Sequence, residues 1–286
     1  MPQATPSAEP AALFALRRDY GGAAPALSVV APMYDEEGGA AALVAEIADR
    51  LSGVDYEIIV VDDGSRDGTA AALAAASRTT SRLRVLRHAE NAGQSRAIRT
   101  GVIAARAPVI ATLDGDGQND PADIRSLYES LTRQQAPPLL AMIAGERVRR
   151  EDAPAKRTAS RLANWVRRRV LQDGAADTGC GLKVFYRDAY LRLPFFDHSH
   201  RFLPALMLRE GFAVEFAPVN HRRRAHGRSK YTNLARLSVA VRDLLGVVWL
   251  KARARSPAAI SELEPDRDYA SMAERAGPGG REREFG

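Results

Sequence analysis

Acidic and polar side chains recur in three short runs of the 286-residue sequence: Pro32, Met33, Tyr34, Asp35, Glu36, Glu37; Asp62, Asp63, Gly64, Ser65; and Asp114, Gly115, Asp116, Gly117, Gln118, Asn119, Asp120, Pro121. The third run carries the most chemistry. Two carboxylates spaced i, i+2, with an amide oxygen at i+4, offer several hard oxygen ligands, and Gly115 and Gly117 let the backbone fold tightly around a cation. A carboxylate site with few protein ligands leaves coordination positions for substrate phosphates, the habit of Mg2+ or Mn2+. An EF-hand is excluded, because no Glu stands at the twelfth position and a strand pattern precedes the loop. A plain Asx-rich turn is the structural alternative.

Basic side chains cluster elsewhere. Residues 147–169 hold nine Lys/Arg against two Asp/Glu, and 220–230 hold five against none. The formal net charge of +6 therefore divides into +12 on those two segments and −6 on the remainder. Such patches suit phosphates, lipid head groups or nucleic acid. Nucleic acid would account for the patches but not for the acidic runs between them. A composition of 45% hydrophobic and 27% charged residues is globular and excludes collagen, coiled coil and wholesale disorder. With one cysteine, Cys180, the chain can form neither an internal disulfide nor a thiolate metal site, and a reducing compartment is expected. His198 and His200 form an HxH pair without a third ligand at zinc spacing. His221 and His226 are assigned to the basic loop, and Trp165 and Trp249 to helices, where they serve packing or an interface.

Short aliphatic runs at 27–31, 57–61, 84–86, 108–113 and 139–144 predict strands, several of them covered on both faces. Helical spacing falls at 39–51, 68–78, 94–106 and 121–135, the last with Pro121 in its first turn and Asp120 as a cap. This alternation predicts an α/β fold with a mostly parallel sheet between helices. Beyond residue 150 the reading is a basic helix at 156–171, a Gly-rich loop at 173–181, strands at 183–186 and 213–219, and a helix near 201–210 between them. From Leu234 apolar residues recur at helical spacing, interrupted by Arg236, Arg242 and Asp243, so the segment is amphipathic and too short and charged to span a bilayer. It either lies on an anionic membrane or packs on the domain. Residues 1–26 and 256–286 read as a disordered lead and tail, and nothing near the start resembles an export signal.

In order and spacing, VVAPMYDEEGG (29–39), VDDGSRDGT (61–69), ENAGQSRAIRTG (90–101) and LDGDGQNDPADI (113–124) resemble the signature of the inverting family 2 glycosyltransferases with the GT-A fold. DTGCGLKVF (177–185) and HRRRAHGRSKY (221–231) narrow the likeness to the polyprenyl-phosphate transferases, such as the dolichol-phosphate mannose synthases and undecaprenyl-phosphate formamido-arabinose transferases. The resemblance covers about residues 27–250 and implies a catalytic domain at 27–231 followed by the amphipathic segment 232–255. It places Pro32, Tyr34, Glu36 and Asp63 around the nucleotide base and ribose, and Gly93 and Gln94 close by. Asp114 matches the first DxD aspartate, near ribose or metal, Asp116 the direct metal ligand, and Gln118 a metal-supporting residue. Arg224, Ser229 and Lys230 match the grip on the acceptor phosphate, and Thr178 the loop beneath it. Arg147 and Arg150, after the strand at 139–144, are expected to hold phosphate oxygens, and Asp177 to orient its loop.

The chemistry this implies is electrostatic. Breaking the anomeric C–O bond of a UDP- or GDP-sugar builds negative charge on the leaving diphosphate, which Mg2+ or Mn2+ and Arg/Lys stabilise, so Asp114, Asp116, Arg224 and Lys230 are the expected catalytic set. A polyprenyl phosphate is already anionic and needs no general base; a saccharide or lipid hydroxyl acceptor, the rival reading, would need one. A non-catalytic nucleotide-sugar-binding subunit is the alternative outside enzymes. The arabinose- and glucose-transferring relatives carry two transmembrane helices after the SKY segment, whereas this sequence shows only the amphipathic stretch. The expectation is therefore a cytoplasmic, peripheral enzyme that meets an anionic membrane surface or a membrane-protein partner and no nucleic acid. Gly115 stands where Ala is common in the family, which should loosen the turn.

Overall fold

Seven strands form one sheet in the order β3-β2-β1-β4-β6-β5-β7: β1 Leu27–Met33, β2 Tyr56–Asp62, β3 Leu83–Arg87, β4 Val109–Thr112, β5 Leu140–Arg147, β6 Lys183–Tyr186 and β7 Ala213–Val219. The structure, a computed structural model, describes residues 23–147, 167, 169–177, 179–222 and 233–255, with the backbone alone for 233–238. Described residues up to Ala252 belong to one unit, which contains the whole sheet and its helices. Residues 1–22 of the predicted lead, the predicted tail and most of the predicted basic helix lie outside the described residues; at 23–26, read as part of the disordered lead, the chain instead joins the domain, with Pro25 buried and the Ala26 amide donating to Asp55 O at 3.0 Å.

Neighbouring strands run parallel except β6, which is antiparallel to both β4 and β5. That exception matters for function. Since β6 is reversed, its first residue, Lys183, pairs with Thr112 at the end of β4 and with Ala144 in β5. The carboxyl ends of β1, β2, β4, β5 and β7 and the amino end of β6 thus share one edge, where ligands of open α/β sheets bind.

Strands β1 and β2 are buried throughout, their aliphatic residues covered on both faces and their polar Ser28 and Glu57 bonded to each other. On one face of the sheet Leu27, Val29 and Ala31 pack with α1 (Ala40–Arg50), α2 (Thr69–Thr79) and α4 (Ala122–Thr132) through Leu43, Ile47, Leu73, Ile124 and Leu127. On the other, Val30, Ile59, Val61 and Ile110 meet α3 (Gln94–Ala104), α5 (Arg187–Arg192), α6 (Leu203–Arg209) and α7 (Asn233–Ala252) through Ala97, Ile98, Val102, Tyr190, Leu206 and Val247. Asp120 accepts from the Ala122 amide at 2.9 Å, the cap expected of it. Helix α5 is not anticipated by the sequence pattern. Its first residue, Arg187, is buried and donates to Val102 O and Ile103 O, satisfying carbonyls at the end of α3.

Helix α7 has two apolar sides. Val247 is buried and Leu244, Val248 and Leu250 pack on the core beside it, while Val241, Leu245 and Trp249 are 49%, 64% and 61% exposed. Among the described residues no helix is long and apolar enough to cross a membrane.

A buried carboxylate ties the far end of the sheet together. Glu57, 1% exposed, accepts from Ser28 Oγ at 2.7 Å, Arg84 Nη1 at 2.9 Å, the Arg106 amide at 2.8 Å and Arg106 Nε at 3.1 Å. Burial alone would raise its pKa, but the bonds from Arg106, Ser28 and Arg84 outweigh it and leave the carboxyl below its ordinary value. Replacing it would strand three partners around a hole. Glu57→Ala is expected to cost about 3 kcal/mol of stability, read as a lowered urea midpoint at pH 7; a midpoint within error of the unmodified protein would refute the bridging role.

Candidate active site

The first two acidic loops are bound chiefly to each other. Asp35, at a left-handed φ of 50°, donates its amide to Ser65 Oγ and accepts at its carboxylate from the Arg66 amide. The Glu36 amide donates to Thr69 Oγ1, the Glu37 amide to Asp67, and the Gly68 amide to Glu37. These bonds set the backbone course past Pro32 and Tyr34 at the carboxyl end of β1.

Asp63 performs the corresponding task for the loop before α3. It is 3% exposed, and its carboxylate accepts from the Ala92 amide (2.9 Å), the Gly93 amide (2.8 Å) and Asn91 Nδ2 (2.9 Å), with His88 Nδ1 at 2.7 Å. Those four contacts use the acceptor capacity of one carboxylate. The side chain expected to face a nucleotide base is therefore turned into the protein, and its bonds shape loop 88–93. Gly93 closes that loop at φ 89°, a conformation that side-chain-bearing residues rarely adopt.

Gln94, the first residue of α3, donates from Nε2 to Asp114 Oδ1 at 2.7 Å. The Asp114 amide donates to Asn119 Oδ1, and the Gln118 amide to Asp116 Oδ1, so the turn is braced at both ends. Asn119 is buried, and its Nδ2 rests on Cys180 Sγ at 3.8 Å. Asp114 is the electrostatic centre of the site. Burial raises its pKa first and repulsion from Asp116 second, to about 6, against the opposing effects of Lys183, the Gln94 bond and Arg147. Asp114, its carboxyl raised by burial and by Asp116 beside it, fits a cation: ionised Asp114 and Asp116 would ligate it and Gln118 lies beside them. Among the described residues no group of three His, Cys, Asp or Glu could hold a metal alone.

Gly115 is tighter here than the sequence suggests. A Cβ at that position would lie 2.5 Å from Pro32 O and 2.6 Å from Met33 Cγ. The turn is pressed against the end of β1 rather than loosened, and glycine permits that approach.

Two cations flank the carboxylates. Lys183, 4% exposed, donates from Nζ to Cys180 O; burial lowers its pKa while Cys180, Asp114 and Asp177 act to raise it. The only sign of it in the sequence is a lysine opening an otherwise apolar strand, and the reversal of β6 that brings it to this edge is invisible locally. Arg147, at the end of β5, is gripped by both oxygens of Asp177. Burial acts to lower its pKa, but Asp177, with smaller help from Asp114, holds it above the ordinary guanidinium value. Asp177 also accepts from the Gly179 amide at 3.0 Å, consistent with the loop-orienting part expected of it.

The start of the basic loop is fastened to the DxD turn. The Arg222 amide donates to Gln118 O at 2.8 Å, and Gln118 Nε2 lies 3.3 Å from Arg222 O and 3.4 Å from His221 Nε2. Arg222 itself pairs with Glu46 at 2.8 Å and Asp120 at 2.6 Å. The structure thus brings Asp114, Asp116, Gln118, Gln94 and Arg147 to one edge. Arg150, Thr178, Arg224, Ser229 and Lys230 lie outside the described residues.

Comparison with known proteins agrees with this architecture. The chain is 33% identical over 229 residues to dodecaprenyl-phosphate galacturonate synthase of Rhizobium johnstonii, covering 78% of this chain and 66% of that one. It is 34% identical over 218 residues to undecaprenyl-phosphate 4-deoxy-4-formamido-L-arabinose transferase of Pseudomonas aeruginosa, covering 74% and 62%. The chain therefore spans somewhat under two thirds of the length of these relatives. Among solved structures, glucosyl-3-phosphoglycerate synthase of Mycobacterium tuberculosis, crystallised with Mn2+, UDP and glucosyl-3-phosphoglycerate, superposes with a TM-score of 0.61 at 17% identity, covering 88% of this chain and 87% of that one. At that identity the likeness establishes the fold, which is GT-A. The family description "Glycosyl transferase family 2" matches residues 28–193, more than half of the sequence and every acidic loop described above, and the chain belongs to that family.

Proposed function

We propose that the protein transfers a sugar, with inversion, from a UDP- or GDP-sugar to a polyprenyl phosphate, with Mg2+ or Mn2+ as cofactor. The observation that carries this reading is the Asp114–Asp116 pair at the carboxyl edge of the sheet, where burial and the Asp116 charge raise the Asp114 carboxyl against the opposing effects of Lys183, Gln94 and Arg147. The names of the relatives supply the acceptor class, and the structural neighbour's Mn2+ and UDP support the cofactor and a nucleotide donor.

In this reading the first loop, with Pro32, Tyr34 and Glu36, borders the nucleotide, while Asp63 acts through the loop it holds, presenting Gly93 and Gln94 to the donor. Asp114 and Asp116, with Gln118 beside them, would hold the cation, whose chemistry would be charge neutralisation at the leaving diphosphate. Arg147, fixed by Asp177, and Arg150, Thr178, Arg224, Ser229 and Lys230 receive the acceptor phosphate, whose own oxygen attacks the anomeric carbon without a general base. The catalytic domain is assigned to 27–231 and the amphipathic segment to 232–255, which holds the enzyme peripherally on the cytoplasmic face, directly on anionic lipid or beside a membrane-protein partner. The exposed Val241, Leu245 and Trp249 of α7 support that attachment.

Three outcomes are expected. Incubating the protein with labelled UDP- and GDP-sugars, Mn2+ and undecaprenyl phosphate should place label in the lipid phase, and Asp116→Ala should reduce this by about 100-fold or more; label appearing only in water-soluble product would refute the acceptor assignment. Proton and cation compete for Asp114, whose raised carboxyl is neutral below about pH 6. Mn2+ affinity should therefore rise with pH, approaching tenfold per unit below pH 6 and levelling off above it, and Asp114→Asn should abolish that slope. On liposomes containing phosphatidylglycerol, the Leu245→Asp/Trp249→Asp variant should float roughly tenfold less than the unmodified protein at equal thermal stability, since both side chains are exposed; equal flotation would rule out α7 as the lipid contact.

A further inference from the structure

The structure gives the second histidine of the HxH pair a defined setting beside the proposed donor site. His200 rides on a 3-10 turn, Ser199–Arg201, in a loop folded against the first turns of α3. Phe195 of that loop lies under two cations of α3, with the Arg96 guanidinium 3.9 Å and that of Arg99 5.1 Å from the ring centroid. Asp197 lies against Gly93, within 3.4 Å of where a Cβ would stand. His198 reaches Asp243 of α7 at 3.1 Å. The loop is therefore pinned on two sides, and His200 is carried by a fixed frame.

Ser95 completes the arrangement. It follows Gln94, the residue bonded to Asp114, and is 1% exposed. Its Oγ accepts from the His200 amide at 3.3 Å and stands 2.6 Å from His200 Nδ1. A buried hydroxyl must place its own hydrogen on an acceptor, and Nδ1 is the acceptor shown, so the imidazole proton resides on Nε2. Burial keeps the ring's pKa well below its ordinary value, and repulsion from Arg201, Lys183 and His198 acts in the same sense, so the ring is uncharged at neutral pH. Nε2 has no hydrogen-bond partner among the described residues and is not an enclosed atom.

We propose that His200, locked by Ser95, recognises the sugar of the nucleotide donor by offering Nε2–H to one of its oxygens. This rests on the transferase reading above. An uncharged, single-direction donor suits a sugar oxygen. The diphosphate calls for cations, which the edge supplies through Lys183, Arg147 and the metal. A nitrogen that already carries its proton cannot act as the base either, in keeping with an acceptor that needs none. In this scheme Ser95 is a positioning residue, since it fixes the tautomer without touching the sugar.

The test compares affinities of UDP and GDP with those of UDP-glucose, UDP-galacturonate and GDP-mannose by calorimetry with Mn2+, using the base the unmodified protein prefers. His200→Leu should lower nucleotide-sugar affinity roughly 5- to 10-fold while leaving that for the nucleoside diphosphate unchanged. His200→Gln, which restores a side-chain N–H, should recover most of the loss, and Ser95→Ala should lower the same ratio with the diphosphate affinity intact. Equal loss for both ligands, an unchanged ratio, or failure of Gln to rescue would each overturn the assignment. If the unmodified protein binds Mn2+ with UDP or GDP but no nucleotide-sugar, the transferase reading itself fails, and this is distinguishable because it needs no variant.

Discussion

Two carboxylates, Asp114 and Asp116, are held side by side at the end of a buried strand, where burial and the Asp116 charge push the Asp114 carboxyl above its ordinary range. The arrangement costs folding energy, because each charge is partly desolvated and each repels the other. It persists because the surrounding contacts leave the turn no other course. Asn119 takes the Asp114 amide from inside, Gln94 takes a carboxylate oxygen from the side, and the chain at Gly115 is pressed against Pro32. For the cation proposed above, the reorganisation that a flexible loop would require at binding is already done.

The same constraint governs the loops around it. Donors and acceptors at the sheet edge are mostly consumed in joining one loop to the next: Asp35 to Ser65 and Arg66, Glu37 to Asp67 and Gly68, Asp63 to the backbone of 92 and 93. Acidic residues that look in sequence like ligand-binding groups are instead the mortar of the cleft. What this leaves for a ligand is shape and a small set of groups aimed outward, a division common where recognition requires a rigid frame.

Aliphatic strands covered on both faces announced themselves in the sequence, and among the described residues all seven strands and the long helices fell within a few residues of their expected places. The DxD turn was equally legible, because glycine and aspartate at that spacing have few other uses. Pairing partners were not legible. Nothing local tells that β6 runs against its neighbours, yet that reversal alone sets Lys183 beside the end of β4. Nor does the DDGS string reveal that its second aspartate faces inward, since the four donors come from residues 88–93. Helix α5 escaped because its amphipathic pattern is only six residues long and its first arginine is buried against carbonyls of another helix.

The distribution of charge shows the same limit in a form that bears on function. The two basic segments sum to +12 in sequence, but Arg147 is paired with Asp177, Arg167 with Asp173, and Arg222 with Glu46 and Asp120. These arginines are fixed in direction, and their fields are partly cancelled before any phosphate approaches. Arg222 has a further consequence, because its backbone is bonded to Gln118 in the DxD turn. The chain that leads into Arg223, Arg224, Arg228 and Lys230 therefore starts from the DxD turn itself. In the transfer proposed above the nucleophile is a phosphate and the leaving group a diphosphate, so two anions must be brought together, and a mechanical link between the DxD turn and the start of the basic loop would keep the two ends of the reaction in register.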